Sequence, residues 1–476
     1  MLREARLSEI GIALSKEREI PVLLRKILVG AKELTEADGG TIYMVTPEKR
    51  LKFEVVLSDT LEVHEPPSFT LPLFQPDGSP IESMMVSYAV HHKKTIHIAD
   101  AYKEEGFDFS GTREFDEKTG YRTRTVLTIP MKNHEEEVIA VLQLLNPPEG
   151  RIFTGEEIAL AESLASQAGM FLTNQILIKN LRGLFTSLIQ VIAEAIDEKS
   201  PSTGNHGKRV PIVAEALANA VSRAEEGPFS STSFSSEDLY ELEVAAFLHD
   251  CGKITTPEYI MEKKTKLETF FDRIEVIEAR AASLRKSPEE IEEIVGFLKR
   301  CNEGKEAITD EVRARVKEIA KLPWGGKGPF LTEEEVEHLV VEKGNLTEKE
   351  REILENHVVM TYRMLSKLTY PKDLKRVPEI AASHHEWING HGYPRGLKGG
   401  QMSLQAKILA VADVFEALSA PDRPYKKPLP LSKIFSIMEN MAEEGHLDLD
   451  LLTLFRTKKV YLPYAERFLS PEQIDV

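Results

Sequence analysis

The sequence is poor in several things. Among 476 residues there are only two cysteines, Cys251 and Cys301, which argues against a disulfide framework and for a reducing compartment. Positive charge is short: 60 Lys and Arg stand against 77 Asp and Glu. The resulting net charge of −17 argues against bulk binding to duplex nucleic acid or an anionic membrane. An acidic chain can still handle an anionic substrate where metal ions make one pocket positive. No run approaches ~18 consecutive apolar residues, and the opening MLREARLSEIGIALSKEREI is too charged for a signal peptide. A cytoplasmic chain without a membrane partner is expected. What is present is ordinary, 42% apolar and 7% aromatic, so wholesale disorder is ruled out. The length exceeds the ~250–300 residues at which one core stops growing, so two or three domains are expected.

The first third mixes both kinds of periodicity. Residues from Ile20 to Glu36 carry apolar positions at helical spacing. Short β-rich runs follow at Gly40 to Val45, Leu51 to Leu57, Thr95 to Ile98, Arg124 to Pro130 and Glu137 to Leu145, separated by turn residues. The pattern predicts an α+β sensor-type domain. It changes at Asn146-Pro147-Pro148, and from Thr154 helical periodicity runs through Leu164, Phe171, Leu177, Leu181, Leu184, Leu188 and Ile192. One long connecting helix, paired with its copy in a homodimer, and two shorter helices within one domain both fit this span. From about Arg182 onward the chain is almost entirely helical in pattern. The stretch Glu262 to Lys343 stands apart as a helical insertion. Its residues Phe270, Ile274, Ile277, Ala281 and Leu284 predict one amphipathic helix with a packing or dimer role.

Histidines and aspartates occupy places where apolar residues are expected. His249-Asp250 ends the run Val244 to Leu248, and Asp413 sits inside Ala406 to Phe415. His357 lies on a helix that starts with a capping-box pattern, Thr347 to Glu350, and its neighbours Ile353, Leu354 and Thr361 put it on the inward face. His384-His385 follows Ile380-Ala381-Ala382, and His206 opens an apolar helix. A buried carboxylate or imidazolium without a partner costs several kcal/mol, roughly, or becomes neutral. Five histidines and two aspartates can satisfy one another most economically around metal ions. Nitrogen and carboxylate donors suit iron, manganese or zinc rather than magnesium or calcium. Seven ligands suffice for two ions if one aspartate bridges them.

These residues resemble the motifs of the HD-GYP family of phosphodiesterases. The match runs through Ser202-Thr-Gly-Asn-His206 with Arg209-Val210, His249-Asp-Cys-Gly-Lys253, Asn356-His357-Val358, His384-His-Glu-Trp-Ile-Asn-Gly-His-Gly-Tyr-Pro394, Ala412-Asp413-Val-Phe-Glu-Ala and Asp422-Arg-Pro-Tyr-Lys426. The resemblance implies an all-helical HD-GYP domain that hydrolyses cyclic di-GMP at a buried centre of two metal ions, iron first and manganese second. The implied ligands are His206, His249, Asp250, His357, His384, His385 and Asp413, with Asp250 as the bridge. Lys253 would contact a phosphate oxygen, Arg423 and Lys426 would hold other parts of the dinucleotide, and Tyr393 belongs to the Gly-Tyr-Pro loop beside the site. Two cations ~3.5–4 Å apart would supply a bridging hydroxide for in-line attack on phosphorus, with Lys253 adding fixed positive charge. Three positions depart from the family pattern. Ser202 stands where members with three metals have glutamate, so two metals are expected. Asn389 stands in place of an aspartate, and Cys251, in place of an aliphatic residue, is read as a small buried hydrophobe.

Residues ~20–175 resemble a GAF domain, above all at Phe115-Asp-Glu-Lys-Thr-Gly-Tyr-Arg-Thr-Arg-Thr-Val-Leu-Thr-Ile-Pro130. The resemblance implies a cyclic nucleotide or other small ligand near Asp116, Thr119 and Arg122; a role pinning a loop to the sheet fits the same residues. The expected organisation is a GAF sensor domain over residues 1–175, a linking helix over 176–200, and an HD-GYP domain over 201–476 with its insertion at 262–343. The expected reaction is hydrolysis of cyclic di-GMP to linear pGpG, GMP or both. Its rivals are a cyclic dinucleotide-binding signalling module with little turnover and an HD phosphohydrolase acting on other nucleotides such as cyclic GMP-AMP.

Overall fold

The computed structural model describes residues 2–61, 66–199, 204–324, 328–420 and 428–476. The chain divides into two compact units, Met1–Leu184 and Phe185–Val476.

The first unit is built on six antiparallel strands: β1 (Gly39–Val45), β2 (Arg50–Ser58), β3 (Thr70–Pro72), β4 (Ile96–Ile98), β5 (Val126–Lys132) and β6 (Val138–Leu145). Their order across the sheet is β3-β2-β1-β6-β5-β4. Helices α1 (Leu2–Ser15) and α2 (Ile20–Thr35) supply Leu14, Leu24, Ile27 and Leu28 to a core against Ile42, Leu127 and Leu142 of the strands. The other face carries two smaller clusters, one of which includes Val86 of α3 (Met85–His92) and the other Phe109, which precedes α4 (Ser110–Thr119). The longer strands fall where β-rich runs predict them. The three-residue β3 and the short helices α3 and α4 carry too little periodicity to be read from the sequence, and the 14-residue α1 lies outside the elements that the sequence pattern predicts.

Helix α5 (Gly155–Lys199) settles the open choice in favour of one continuous helix of 45 residues. Its Gly169 does not interrupt it. A Cβ there would lie 2.4 Å from the Lys132 carbonyl oxygen, so glycine lets the helix approach the end of β5.

The second unit is helical: α6 (His206–Ser222), α7 (Ser236–Leu248), α8 (Glu258–Met261), α9 (Ile274–Ala281), α10 (Pro288–Asn302), α11 (Asp310–Ala320), α12 (Glu333–Leu339), α13 (Glu348–Leu365), α14 (Val377–Ala381), α15 (Leu404–Ser419), α16 (Leu431–Glu443), α17 (Leu449–Thr457) and α18 (Leu462–Phe468). One core joins α6, α7 and α14–α18. A separate core, from Leu267 to Leu339 and including Phe297, Leu298, Val316 and Phe330, holds α9–α12 together. The amphipathic helix expected from Phe270 to Leu284 is shorter: α9 begins at Ile274, where the Asp272 carboxylate accepts the Ile274 N–H (3.0 Å), and Phe270 lies outside it in solvent. Helix α13 starts as predicted, with Thr347 and Glu350 in a reciprocal capping box.

Candidate metal centre

Each predicted ligand sits at a place the local sequence fixes. His206 opens α6 behind Asn205, whose φ of 65° turns the chain into the helix. His249 caps the C-terminal end of α7, and Asp250 leads into a 3₁₀ turn, Cys251–Thr255. That turn lies so close to α13 that a Cβ on Gly252 would come within 1.9 Å of the His357 carbonyl oxygen. Thr361 locks the contact: its hydroxyl donates to the His249 carbonyl (3.0 Å) and accepts the Gly252 N–H (2.9 Å). His357 is buried on α13 beside Thr361, whereas Ile353, expected on the same face, is exposed. His384 and His385 follow α14, and Asp413 lies mid-way along α15.

The structure brings all seven together. Asp250 is central: its Oδ1 lies 3.3 Å from His357 Nε2 and 3.7 Å from His384 Nε2, and its Oδ2 lies 3.3 Å from His249 Nε2 and 3.8 Å from His206 Nε2. Asp413 Oδ1 is 3.1 Å from His206 Nε2 and 3.6 Å from His249 Nε2. Three overlapping groups have donor atoms mutually within 4.8 Å: His357, His384 and His385; His206, His249 and Asp413; and His249, Asp250 and His384. Two ends of one cluster therefore share Asp250.

The hydrogen bonds fit this arrangement to cations. His249, His357 and His384 each direct Nδ1 to the backbone carbonyl three residues earlier, Ala246 (2.7 Å), Leu354 (2.6 Å) and Ala381 (2.6 Å). That fixes the rings and turns Nε2 inward. The Nε2 atoms of all three and Asp250 Oδ1 are buried with no hydrogen-bond partner. Four orphaned polar atoms in one pocket call for a cation, because buried polar groups are otherwise satisfied. Charge within the protein partly offsets this. Burial alone lowers a histidine pKa, but hydrogen bonds to Asp413 and Glu416 raise His206 to about 9, and Asp250 and Asp413 raise His249 to about 10. Burial depresses His385 to about 4 and holds His384 well below the usual range. Against the cost of burial, Lys253 and His249 keep the Asp250 carboxyl well below its ordinary value.

Comparison with known proteins gives the same division of the chain. The family model for GAF domains matches residues 19–172, and two for HD domains match residues 203–321 and 333–451. The chain has a GAF domain followed by an HD domain. It is 41% identical over 105 residues to the 3′3′-cGAMP-specific phosphodiesterase 3 of Vibrio cholerae, covering 22% of each chain. Over 106 residues it is 40% identical to the cyclic di-GMP phosphodiesterase of Thermotoga maritima, covering 22% of this chain and 28% of that one. Over 207 residues it is 30% identical to the cyclic di-GMP phosphodiesterase response regulator RpfG of Xanthomonas campestris pv. campestris, covering 40% and 53%. These alignments span from under a quarter to about half of the relatives' lengths.

The remaining predicted residues of the HD domain fall around the centre. Lys253 Nζ is 2.5 Å from Asp250 Oδ2, and that carboxylate raises its pKa against the effect of burial. Tyr393 stacks on His385, ring centroids 4.8 Å apart and planes at 29°. Cys251 is buried, and burial pushes its thiol up to about 11, as suits a small apolar side chain. Asn389 ties two loops: its amide donates to the Glu444 carbonyl (2.8 Å) and its Oδ1 accepts the His391 N–H (2.9 Å). An aspartate could not make the first of these bonds. Arg423, Lys426 and Ser202 lie outside the described residues.

Four residues have parts here that the sequence reading did not assign, although Arg209, Glu386 and Glu416 stand within the motifs. Glu416, fully buried on α15, accepts the Nδ1 hydrogen of His206 and lies 3.0 Å from Arg209 Nε. Its spacing of three from Asp413 on an apolar helix was the available signal. Arg209 also donates to the Gly204 carbonyl at 2.8 Å, tying α6 to the loop that presents His206. Glu386, buried, accepts the N–H groups of Arg395 (2.8 Å) and Leu397 (2.7 Å) and so fastens the Gly-Tyr-Pro loop. Asp197, near the end of α5, accepts the Gly207 N–H at 3.1 Å, and burial raises its carboxyl to about 6.

In the GAF domain, Asp116 is buried and both its oxygens are in use. They accept the Thr123 N–H (2.7 Å), the Thr123 hydroxyl (2.9 Å) and the Tyr102 hydroxyl (3.0 Å). The Thr119 hydroxyl donates to the Phe115 carbonyl (2.8 Å), and the Arg122 guanidinium lies 4.4 Å from the Tyr102 ring centroid.

Proposed function

We propose that the protein is a metal-dependent cyclic dinucleotide phosphodiesterase that hydrolyses cyclic di-GMP, and that its GAF domain senses a small ligand, a cyclic nucleotide, to regulate it. The observation that carries the reading is Asp250, whose two oxygens face histidines on opposite sides of one pocket. The donor set is nitrogen and carboxylate, which suits iron or manganese. Bound there, a pair of such cations would activate water and neutralise charge building on a phosphate. The protein's own part is positional: the His206–Glu416, His249–Ala246, His357–Leu354 and His384–Ala381 bonds hold the ligand rings before any ion arrives. Lys253 is only 19% exposed at its side chain, so its charge is little screened and can meet a phosphate oxygen. Relatives include proteins named for cyclic di-GMP and for 3′3′-cGAMP, so both substrates belong in the test.

The full chain is loaded with iron or manganese under reducing conditions, incubated with each dinucleotide and analysed by chromatography, which also separates pGpG from GMP. The expected result is turnover that Asp250→Ala and His385→Ala abolish together with metal retention. Full turnover in either variant stripped of metal would refute the centre, and a fully loaded, dinucleotide-binding protein without turnover would make it a signalling module.

The proposed protein is a homodimer paired along α5. Leu177, Leu181, Leu184, Leu188 and Val191 are all more than half exposed, at steps of four, three, four and three residues, the seam of a coiled coil. Among the described residues α5 is also the one helix long and apolar enough to cross a membrane by length and composition. A coiled coil is favoured because the repeat is strict and Ile189, Ala193 and Ile196 of the same helix are buried in the helical core. Light scattering should give twice the chain mass, reduced to one by Leu181→Lys with Leu188→Lys. A monomeric wild type, or one that partitions into vesicles, would exclude this pairing.

A further inference from the structure

The last two turns of α5 are bonded to the two segments that carry His206 and Asp250. Helix α6 opens without a cap of its own, since the side chain of Asn205 makes no cap bond. Asp197 of α5 supplies one: its Oδ2 accepts the Gly207 N–H at 3.1 Å, satisfying a donor that a helix start otherwise leaves open. Gly207 is seated directly on α5, because a Cβ there would lie 3.3 Å from Asp197 Oδ2 and 3.4 Å from Ala193 Cβ. A carboxylate in this place also meets the positive end of the α6 dipole. The Glu194–Lys208 pair (2.8 Å) joins the same two helices, but both side chains are exposed and such pairs contribute little.

Lys199, at the end of α5, reaches the other segment. Its Nζ donates to the Ile254 carbonyl at 2.6 Å and to the Thr256 carbonyl at 2.9 Å. These carbonyls close the 3₁₀ turn Cys251–Thr255, and the last carbonyls of a helical turn lack partners within it. The ammonium charge makes both bonds stronger than neutral ones. The turn begins directly after Asp250 and contains Lys253. Each segment therefore has two holds. Glu416 of α15 bonds the His206 ring while Asp197 bonds the residue after it, and α13 packs on Gly252 while Lys199 bonds the end of the same turn. Burial raises the Asp197 carboxyl, and the charges of His206, Asp250 and Lys253 all bear on it, which puts it near the centre although it joins none of the three donor groups.

We propose that Asp197 and Lys199 are positioning residues of the metal centre, fixing the start of α6 and the end of the 3₁₀ turn and with them the 3.8 Å spacing of His206 Nε2 from Asp250 Oδ2. The proposal rests on the metal-dependent reading given above, and neither side chain is asked to touch substrate. The metal-free full chain is titrated with manganese against a chelating dye as wild type, Asp197→Ala, Asp197→Asn and Lys199→Met, and turnover of cyclic di-GMP is followed in the loaded proteins. Asp197→Ala and Lys199→Met should each weaken manganese binding about tenfold or more and lower kcat, with KM for the dinucleotide unchanged. Hydrogen exchange at the Gly207 amide should quicken in Asp197→Ala. Asp197→Asn keeps an acceptor oxygen for that amide and should restore affinity and kcat. A merely stabilising contact would lower the melting temperature and leave manganese affinity and kcat alone, and that result in either Asp197→Ala or Lys199→Met would overturn the proposal. So would Asp197→Asn losing as much as Asp197→Ala, because the charge and not the bond to Gly207 would then matter. If the wild type binds manganese without turning over cyclic di-GMP, the phosphodiesterase reading falls, while a tenfold loss of affinity in the two variants still upholds the positioning role. A wild type that binds no manganese would overturn both.

Discussion

Glu416 lies against His206 and accepts the hydrogen on its Nδ1, across 210 residues of chain. The same carboxylate meets Arg209, so one buried acid both orients the His206 ring and neutralises a buried guanidinium. With Nδ1 committed, His206 presents Nε2 to Asp413 at 3.1 Å. Glu416→Gln keeps the shape and an acceptor but loses the charge. It should weaken metal retention about 10- to 100-fold with the helical circular dichroism intact. Glu416→Ala also takes the carboxylate from Arg209 and should cost about 3–5 kcal/mol in a denaturant titration. Metal content after dialysis against a chelator checks the first; equal retention by Glu416→Gln and wild type would rule out the orienting role.

Gly252 tests how tightly the centre is assembled. A methyl group there would meet the His357 carbonyl oxygen at 1.9 Å and the Thr361 nitrogen at 2.6 Å, both backbone atoms of a packed helix. The turn carrying Asp250 and Lys253 would have to move away from α13. Gly252→Ala should lose about 1–3 kcal/mol of stability and most of its bound metal. A variant with wild-type melting and full metal content would mean the close approach has no part in holding the site.

Much of the centre was legible in the sequence because burial made it so. A histidine or aspartate that ends the run Val244–Leu248 or lies inside Ala406–Phe415 has no solvent to fall back on, and the structure gathers these groups into one cluster. The supporting layer was harder to read. Glu416 is an ordinary helix residue until it is seen to bond His206, and Arg209 until it is seen to meet Glu416; a contact across 210 residues is not written in either helix alone. The insertion misled for a related reason. Phe270 fits the spacing of the buried residues Ile274, Ile277, Ala281 and Leu284, yet Asp272 ends the helical register before it. Helical spacing carries no information about where a side-chain acceptor stops a helix.

The metal-free protein should lose stability at alkaline pH. His206 and His249 have folded pKa values of about 9 and about 10, above the ordinary 6.5. Their contribution is complete below pH ~6.5 and fades as pH climbs through the folded values, because the folded state then gives up protons it binds more tightly than the unfolded chain. His385, depressed to about 4, acts in the opposite sense: its contribution is present above pH ~6.5 and is lost as pH falls toward 4. Melting temperatures in chelator should therefore peak near pH ~6.5 and fall on both sides of it. Ions on the Nε2 atoms replace those protons, so manganese should release protons on binding and flatten the alkaline side. An alkaline limb identical with and without manganese would contradict the assignment of His206 and His249 as ligands.

Asp116 offers a test confined to the GAF domain. Its carboxylate, buried, ties the end of α4 to the segment entering β5 through Thr123, and Tyr102 closes over it. Hydrogen bonds to a charged acceptor contribute about 1.5–3 kcal/mol each, and removing the acceptor leaves the Thr123 N–H buried without it. Asp116→Ala should cost about 2–4 kcal/mol, lowering the melting of this unit by about 5–15 °C. Asp116→Asn, which keeps one acceptor oxygen while the hydroxyls of Thr123 and Tyr102 can rotate, should cost less. Calorimetry of the full chain separates the outcomes, since each unit has its own core and the helical unit's transition should stay in place. If Asp116→Ala leaves the GAF transition unmoved, the carboxylate is not holding that loop, and a contact with a bound ligand becomes the better account of why it is there.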